Sequence, residues 1–208
     1  MGNRKKRRRD VRWAVLTLTI MALMALMGMD SLLPRLRVKI LTLAPKPNWI
    51  HEELIEIDGD SRSGVKLDGI RNIVIHYVGN PGTSAMQNRN WYANPESEVS
   101  SHFLVGLEGE VVQCLPLNEK SAASNHRNRD TISIEVCHPD DSGVFTEKTY
   151  ASLVKLTAWL TKTAWLGPED IIRHYDVTGK ICPKYFVENE ESWLRFRENV
   201  AAAAEEYQ

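Results

Sequence analysis

The 208-residue sequence contains no internal repeat and no low-complexity segment apart from the alanine run at residues 201–204. It therefore lacks the periodicity of a repeat protein. Its body also lacks an excess of basic residues: from residue 48 onward there are 15 Lys and Arg side chains against 25 Asp and Glu, a net charge of −10. Nucleic-acid binding needs clustered cations that neutralise phosphates. The acidic body therefore argues against a nucleic-acid partner.

Cysteine is scarce, with only Cys114, Cys137 and Cys182 in the whole chain. An odd number leaves at least one thiol outside any disulfide. Cys114 and Cys137 lie on predicted strands, and two interpretations remain open. Either they pair in an oxidising compartment, which leaves Cys182 available for a metal, or both are free buried thiols.

The N-terminus differs in composition from the rest of the chain. Residues 1–12 hold seven basic side chains against Asp10, and residues 13–29 carry no charge. Seventeen uncharged, mostly apolar residues are close to the minimum length for a membrane-spanning helix, and the basic cluster before them orients the body outward. No small-x-small cleavage site lies near the end of the run. We therefore expect an uncleaved signal anchor in the cell membrane; secretion after cleavage is the alternative.

The remaining chain divides into a connector and a body. Residues 30–69 are predicted to be a linker and N-terminal extension, because they mix apolar and basic residues and include Ala44-Pro45-Lys46-Pro47, whose prolines favour an extended chain. Residues 70–208 have the composition of an ordinary globular domain. Hydrophobic patterns in this body predict a mixed α/β fold with one β-sheet flanked by helices. The predicted strands cover residues 71–78, 102–107, 110–115, 131–137 and 171–174, and the predicted helices cover residues 83–93 and 147–164 and a last helix capped by Asn189.

The densest group of reactive side chains lies in residues 173–183, which read Arg-His-Tyr-Asp-Val-Thr-Gly-Lys-Ile-Cys-Pro. His174 and Cys182 are both good zinc ligands, and a nearby cation such as Lys180 favours a thiolate. A catalytic zinc takes three protein ligands and keeps one position for water. The candidate third ligand is His76, near the end of an apolar strand. The alternative is a structural histidine and a small buried cysteine.

Four sequence blocks extend this interpretation through a family resemblance. They are Ile-Val-Ile-His-Tyr-Val at 73–78, Ser-Ser-His-Phe-Leu-Val at 100–105, Asp-Thr-Ile-Ser-Ile-Glu-Val-Cys at 130–137 and the block at 173–183. In order and spacing they resemble the zinc-dependent N-acetylmuramoyl-L-alanine amidases, a group that includes phage lysozyme-amidases and peptidoglycan recognition proteins. The resemblance covers about residues 70–186. It implies zinc on His76, His174 and Cys182, and a groove for peptidoglycan.

The resemblance also implies a reaction and its catalytic residues. Members that only bind the wall typically lack the third ligand, so Cys182 favours an enzyme. That enzyme would hydrolyse the amide between N-acetylmuramic acid and the L-alanine of the stem peptide. Glu135 lies where one branch of the family carries its catalytic glutamate, and strand alternation places it on the same face as Ser133. We expect Glu135 to act as general base and Lys180 to stabilise the oxyanion; the alternatives are a surface glutamate and a solvated lysine.

One position departs from the family, and three residues remain weaker candidates. Phage members carry a catalytic tyrosine where this chain has Ser101, so that role is not transferred. His102 either orients substrate or packs in a hairpin, and Asn125 and His126 either touch substrate or lie in a solvated loop. Two other function classes stay open: a membrane-tethered module that binds peptidoglycan without catalysis, and a tethered scaffold for protein contacts.

Overall fold

The structure is a computed structural model that describes residue 19, residues 28–57 and residues 59–207. The basic tail at residues 1–12 and most of the anchor predicted at residues 13–29 lie outside these described residues. Within the described ranges, no helix combines the length and the apolar character needed to cross a bilayer.

The core of the fold is one six-stranded sheet with the spatial order β1-β4-β3-β5-β2-β6. All neighbouring strands run parallel except β3 and β4, which form the predicted antiparallel hairpin. The mixed sheet predicted from the sequence is therefore confirmed. The strands are β1 (Ile50–Glu52), β2 (Asn72–Tyr77), β3 (Phe103–Val105), β4 (Val111–Gln113), β5 (Thr131–Val136) and β6 (Ile171–Arg173).

Helices flank this sheet, as the hydrophobic patterns predict. Helix α3 begins after Thr146, whose hydroxyl accepts a hydrogen bond from the backbone N–H of Thr149. Its buried side packs with the buried side of α6, which presents Trp193, Phe196 and Val200 to the core. The helices are α1 (residues 28–43), α2 (Ala85–Tyr92), α3 (Glu147–Ala164), α4 (His174–Thr178), α5 (Lys184–Glu188) and α6 (Glu190–Glu206).

Asn189 occupies the predicted position at the start of α6, but its side chain does not cap the helix. The side-chain amide instead donates a hydrogen bond to the carbonyl of Tyr185, at 3.0 Å. Asn189 has φ −133° and ψ 80°. The capping function expected of this asparagine is therefore wrong, because the amide serves the preceding helix.

The segment at residues 30–69, for which the sequence predicts a linker, packs on the body in its described part. Strand β1 within it pairs with β4 at the edge of the sheet. Leu41 and Ile55 are buried, and the Arg37 guanidinium donates to the carbonyl of Trp165 at 2.9 Å. Because a three-residue edge strand shows almost no periodicity, the sequence pattern does not reveal it.

The parallel strands at the centre of the sheet determine where reactive side chains meet. His76 lies near the C-terminal end of β2, and its register partner on β5 is Glu135. β6 runs parallel to β2 on its other side and leads directly into His174. Because parallel strands end at the same edge of a sheet, these three residues converge there, where open α/β sheets bind their ligands.

Candidate metal centre

The structure brings the three predicted zinc ligands together. His76, His174 and Cys182 are all buried, and one ligand atom from each lies within 4.8 Å of the others. The Sγ of Cys182 is 4.0 Å from Nδ1 of His76, and the two imidazole centroids are 4.7 Å apart. The cluster joins His76, on a strand, to a helix start and a loop that lie about a hundred residues further along the chain.

The loop that carries Cys182 is folded back onto α4. Gly179 ends α4 in the left-handed region, with φ +78°, where glycine is favoured. The chain then reverses, and the backbone N–H of Tyr175 donates to the carbonyl of Cys182 at 2.9 Å. Arg173 supports the start of α4 through ion pairs with Asp176 and Glu190. The reversal explains how residues 174 and 182 reach the same point.

Burial determines the protonation of the three candidate ligands. It lowers the pKa of His76 well below its ordinary value, and burial followed by the charge of Lys180 lowers that of His174. Both imidazoles are therefore neutral at pH 7 and have a lone pair for a metal. Burial also raises the pKa of the Cys182 thiol to about 12, although Lys180 opposes this. Lys180 thus acts in the predicted direction, because its charge favours the thiolate, but in the metal-free protein burial outweighs it.

These residues fit a catalytic zinc ion. Two neutral imidazoles and one thiol supply three ligands of the types that zinc prefers, which leaves a fourth position. A cavity of about 710 Å³ opens beside them. Its lining includes His174 and Cys182 and also Gln87, Asn88 and Trp91 of α2. A substrate can therefore enter next to the cluster.

Glu135 faces this cluster rather than solvent. Its Oε1 is 3.8 Å from Nδ1 of His76, and its side chain is only 18% exposed. Its Oε2 is buried and has no hydrogen-bond partner among the described residues. Burial raises the pKa of Glu135 to about 8, while Lys180 lowers it in part. A carboxyl group with a pKa near neutrality is suited to accept and release a proton.

Lys180 lies at the rim of the same cavity, with an exposed side chain. Its ammonium group has no ion-pair partner in the described part of the chain. Its positive charge nevertheless lowers the pKa of Glu135 and of His174. Lys180 is therefore a free cation close enough to act on charge that develops in the cavity.

Two of the weaker candidates do not reach the cavity. His102 is fully buried; its Nδ1 lies 3.0 Å from the Ser133 hydroxyl, and its Nε2 lies 2.9 Å from the carbonyl oxygen of Glu119. Of the two interpretations left open for His102, the structure supports packing, because Ser133 of β5 and the carbonyl of Glu119 occupy both ring nitrogens. His126 is exposed in a separate depression beside Arg129. This exposed position agrees with the solvated-loop interpretation, and a substrate contact of His126 stays a prediction.

The third weaker candidate, Asn125, contacts a candidate metal ligand. Its Oδ1 lies 2.9 Å from Nε2 of His174. Sequence reasoning missed its neighbour Ser124, whose hydroxyl lies 3.2 Å from Nε2 of His76. It also missed the cavity wall formed by α2. The spacing of residues 87, 88 and 91 on one helical face was the available signal for that wall.

The structure also decides whether Cys114 and Cys137 form a disulfide, and it shows what the Ser101 hydroxyl contacts. All three cysteines are free and buried, so Cys114 and Cys137 do not form the disulfide that was one of two open interpretations. Ser101 is buried and donates its hydroxyl to the carbonyl of Phe103 at 2.8 Å. A side chain committed to this local bond does not replace a tyrosine hydroxyl in the cavity.

Comparison with known proteins gives concordant matches. The family model described as N-acetylmuramoyl-L-alanine amidase matches residues 66–185. The N-acetylmuramoyl-L-alanine amidase CwlL of Bacillus licheniformis is 31% identical over 166 residues, covering 72% of this chain and 46% of that protein. BlyA of Bacillus subtilis (strain 168), with the same description, is 30% identical and covers 71% of this chain and 46% of that protein. The chain thus spans about half the length of the curated relatives it matches.

Solved structures agree with the fold. The catalytic domain of XlyA superposes with a TM-score of 0.64 at 25% identity, covering 73% of this chain and 98% of that chain. A mutant endolysin from Bacillus subtilis gives the same TM-score and identity, and the match covers 73% of this chain and 97% of the endolysin chain.

Proposed function

Because the chain belongs to the N-acetylmuramoyl-L-alanine amidase family, we propose that it hydrolyses the amide between the lactyl group of N-acetylmuramic acid and the L-alanine of the stem peptide in peptidoglycan. The observation that carries this proposal is the complete set of His76, His174 and Cys182 beside an open cavity. A module that only binds peptidoglycan needs no such set of ligands. The set therefore favours an enzyme over the non-catalytic module.

His76, His174 and Cys182 would hold a zinc ion as the cofactor of this reaction. When bound, zinc polarises the scissile carbonyl and lowers the pKa of a water molecule. The neutral imidazoles bind a metal directly, whereas the Cys182 thiol must first release its proton, because burial holds its pKa at about 12. We therefore expect zinc binding to release one proton from Cys182 and to weaken as the pH falls.

Glu135 and Lys180 would perform the proton transfer and the charge stabilisation. Glu135, with its buried and unpartnered Oε2, would take a proton from the attacking water and return it to the departing amine of L-alanine. Lys180, at the rim, would stabilise the negative charge on the former carbonyl oxygen. The side chains of α2 across the cavity would hold the stem peptide. No step requires a hydroxyl at Ser101.

The bond that is cleaved can be identified by mass spectrometry of purified peptidoglycan after digestion with the protein. The expected products are stem peptides with a free L-alanine amino group, together with glycan strands that keep their sugar-sugar bonds. New reducing sugar ends would instead indicate a glycosidase. Peptidoglycan that is bound but not cleaved in the presence of zinc would favour the non-catalytic module, and absence of binding would favour the scaffold.

We also propose that residues 13–29 anchor the chain in the cell membrane, with residues 1–12 in the cytoplasm and the amidase domain at residues 70–208 on the outer face. The support is the charge-free run after a basic cluster. Residues 30–69 would connect the two while packing on the domain through β1 and Leu41.

The anchor predicts that the mature protein keeps its N-terminus and sediments with membranes after a high-salt wash. Replacing Leu23 in the middle of the run by arginine should reduce insertion, because a charge at the centre of a spanning helix costs about 2.5–3.5 kcal/mol on insertion scales. An Arg12→Lys variant keeps the basic cluster and is the control. N-terminal sequencing of the mature protein that begins beyond Asp30 would show cleavage instead.

A further inference from the structure

Two consecutive residues in one loop each contact a different candidate zinc ligand. Ser124, which is fully buried, places its hydroxyl 3.2 Å from Nε2 of His76. The next residue, Asn125, places its Oδ1 2.9 Å from Nε2 of His174. The loop lies between β4 and β5, and the two histidines lie 48 and 49 residues away in sequence. One short segment therefore orients two ligands from two other elements.

These contacts determine which ring nitrogen of each histidine is available to a metal. The Oδ1 of Asn125 can only accept, so Nε2 of His174 carries the hydrogen and Nδ1 keeps the lone pair. In His76, Nε2 is engaged by Ser124, while Nδ1 faces the Cys182 sulfur at 4.0 Å. In both rings Nε2 is thus occupied, which leaves Nδ1 as the nitrogen available to a metal.

The loop is held in place before any ligand binds. The Oδ1 of Asn128 accepts hydrogen bonds from the backbone N–H groups of Ala123, at 3.1 Å, and Ser124, at 2.6 Å. Asn125 itself has φ +52°, in the left-handed region that is costly for most side chains but tolerated by asparagine, aspartate and glycine. The strained residue is the one whose side chain reaches His174, which is the pattern expected where function requires a conformation.

We propose that Ser124 and Asn125 are positioning residues that lock His76 and His174 in the tautomers that bind zinc through Nδ1. This rests on the proposed zinc site. Hydrogen bonds to the far nitrogen of a metal-binding imidazole orient the ring and raise its basicity. Losing such a partner typically costs about 10–100-fold in metal affinity. Residues that touch neither the metal nor the substrate would thus set the zinc affinity of this chain.

The test separates side-chain chemistry from backbone strain at position 125. Asn125→Gly removes the acceptor but tolerates a positive φ, so its loop is not strained. Asn125→Asp keeps an oxygen acceptor and also tolerates this conformation. Zinc affinity of the full chain is measured by competition with a chromophoric chelator. We expect Asn125→Gly to bind about 10–100-fold more weakly and Asn125→Asp to bind at least as tightly as the parent. Asn90→Ala, an exposed asparagine of α2 outside the cavity lining, is the matched control.

Two further measurements exclude a general folding defect. The thermal midpoint of metal-free Asn125→Gly should equal that of the parent or exceed it. Nitrogen-15 NMR of the metal-free parent should show His174 with its hydrogen on Nε2, and Asn125→Gly should lose this preference.

Ser124→Ala should also weaken zinc binding, because it removes the hydroxyl that contacts Nε2 of His76.

The outcomes also distinguish this inference from the proposed function. If the parent binds no zinc, the proposed zinc site itself is wrong. If the parent binds zinc and Asn125→Gly binds it equally tightly, only the positioning inference is overturned. An Asn125→Asp protein as weak as Asn125→Gly would overturn it too, because an acceptor would then be present without effect.

Discussion

Replacing His174 by alanine is expected to remove both bound zinc and turnover. Among the described residues the cluster offers three candidate ligands, and under the proposed zinc site the loss of one leaves two where a catalytic zinc takes three. Without the metal, the pKa of the attacking water rises far above the value of about 7 that zinc gives it, so we expect turnover to fall to the background rate. Zinc content by atomic emission and release of stem peptides are measured on the same sample. His76→Ala should behave in the same way.

Two variants sharpen this test. Cys182→Ala should lose the metal, whereas Cys182→Asp supplies an oxygen ligand that zinc accepts and should retain part of the metal and of the activity. His126→Ala removes an exposed histidine outside the cavity and should change neither zinc content nor turnover. An inactive His174→Ala protein with full zinc content would contradict the ligand assignment.

Replacing Glu135 by glutamine is expected to leave zinc bound while turnover falls about 10²–10⁴-fold, the usual cost of losing a general base. Glutamine keeps the shape of the side chain and removes its ability to accept a proton. Because Glu135 is buried and its Oε2 has no hydrogen-bond partner among the described residues, the neutral amide should not destabilise the fold through loss of an ion pair. Zinc content, binding to purified peptidoglycan and turnover are compared on one preparation.

Lys180→Met is the companion variant, with an expected loss of about 10²–10³-fold, which is typical for an oxyanion-stabilising group. Methionine keeps most of the apolar stem and removes the cation. Lys162→Met, an exposed lysine of α3 outside the cavity lining, is the matched control. Normal turnover by Glu135→Gln would show that Glu135 is not the base. His102 would then be a poor replacement, because both its ring nitrogens are buried in hydrogen bonds.

The sequence alone determined the elements with strong local patterns. The β-branched run at residues 71–78 predicts β2, and the apolar spacing at residues 147–164 predicts α3 with the same bounds as in the structure. The block at residues 173–183 concentrates His174, Lys180 and Cys182 within nine positions. Each of these signals is contained in one stretch of chain, where periodicity and spacing can be read directly.

Other features depend on contacts that no local pattern encodes. His76 and Cys182 are 106 residues apart in sequence. The pairing of β2 with its parallel neighbours β5 and β6 brings the two side chains together. The burial that raises the pKa of Glu135 to about 8 comes from elements packed around β5. That burial outweighs the Lys180 charge at the Cys182 thiol could not be predicted for the same reason, since desolvation is invisible in a sequence.

The loop at Ser124 and Asn125 shows the division most clearly. From the sequence it is a polar segment, and a solvated loop is the favoured interpretation. In the folded chain its two side chains lie against His76 and His174 at 3.2 and 2.9 Å. The sequence determined which side chains were available for metal chemistry and for proton transfer. Only tertiary packing decided which ring nitrogen, carboxylate and thiol face the same cavity, because their distances and burial are set by strands that pair across the whole domain.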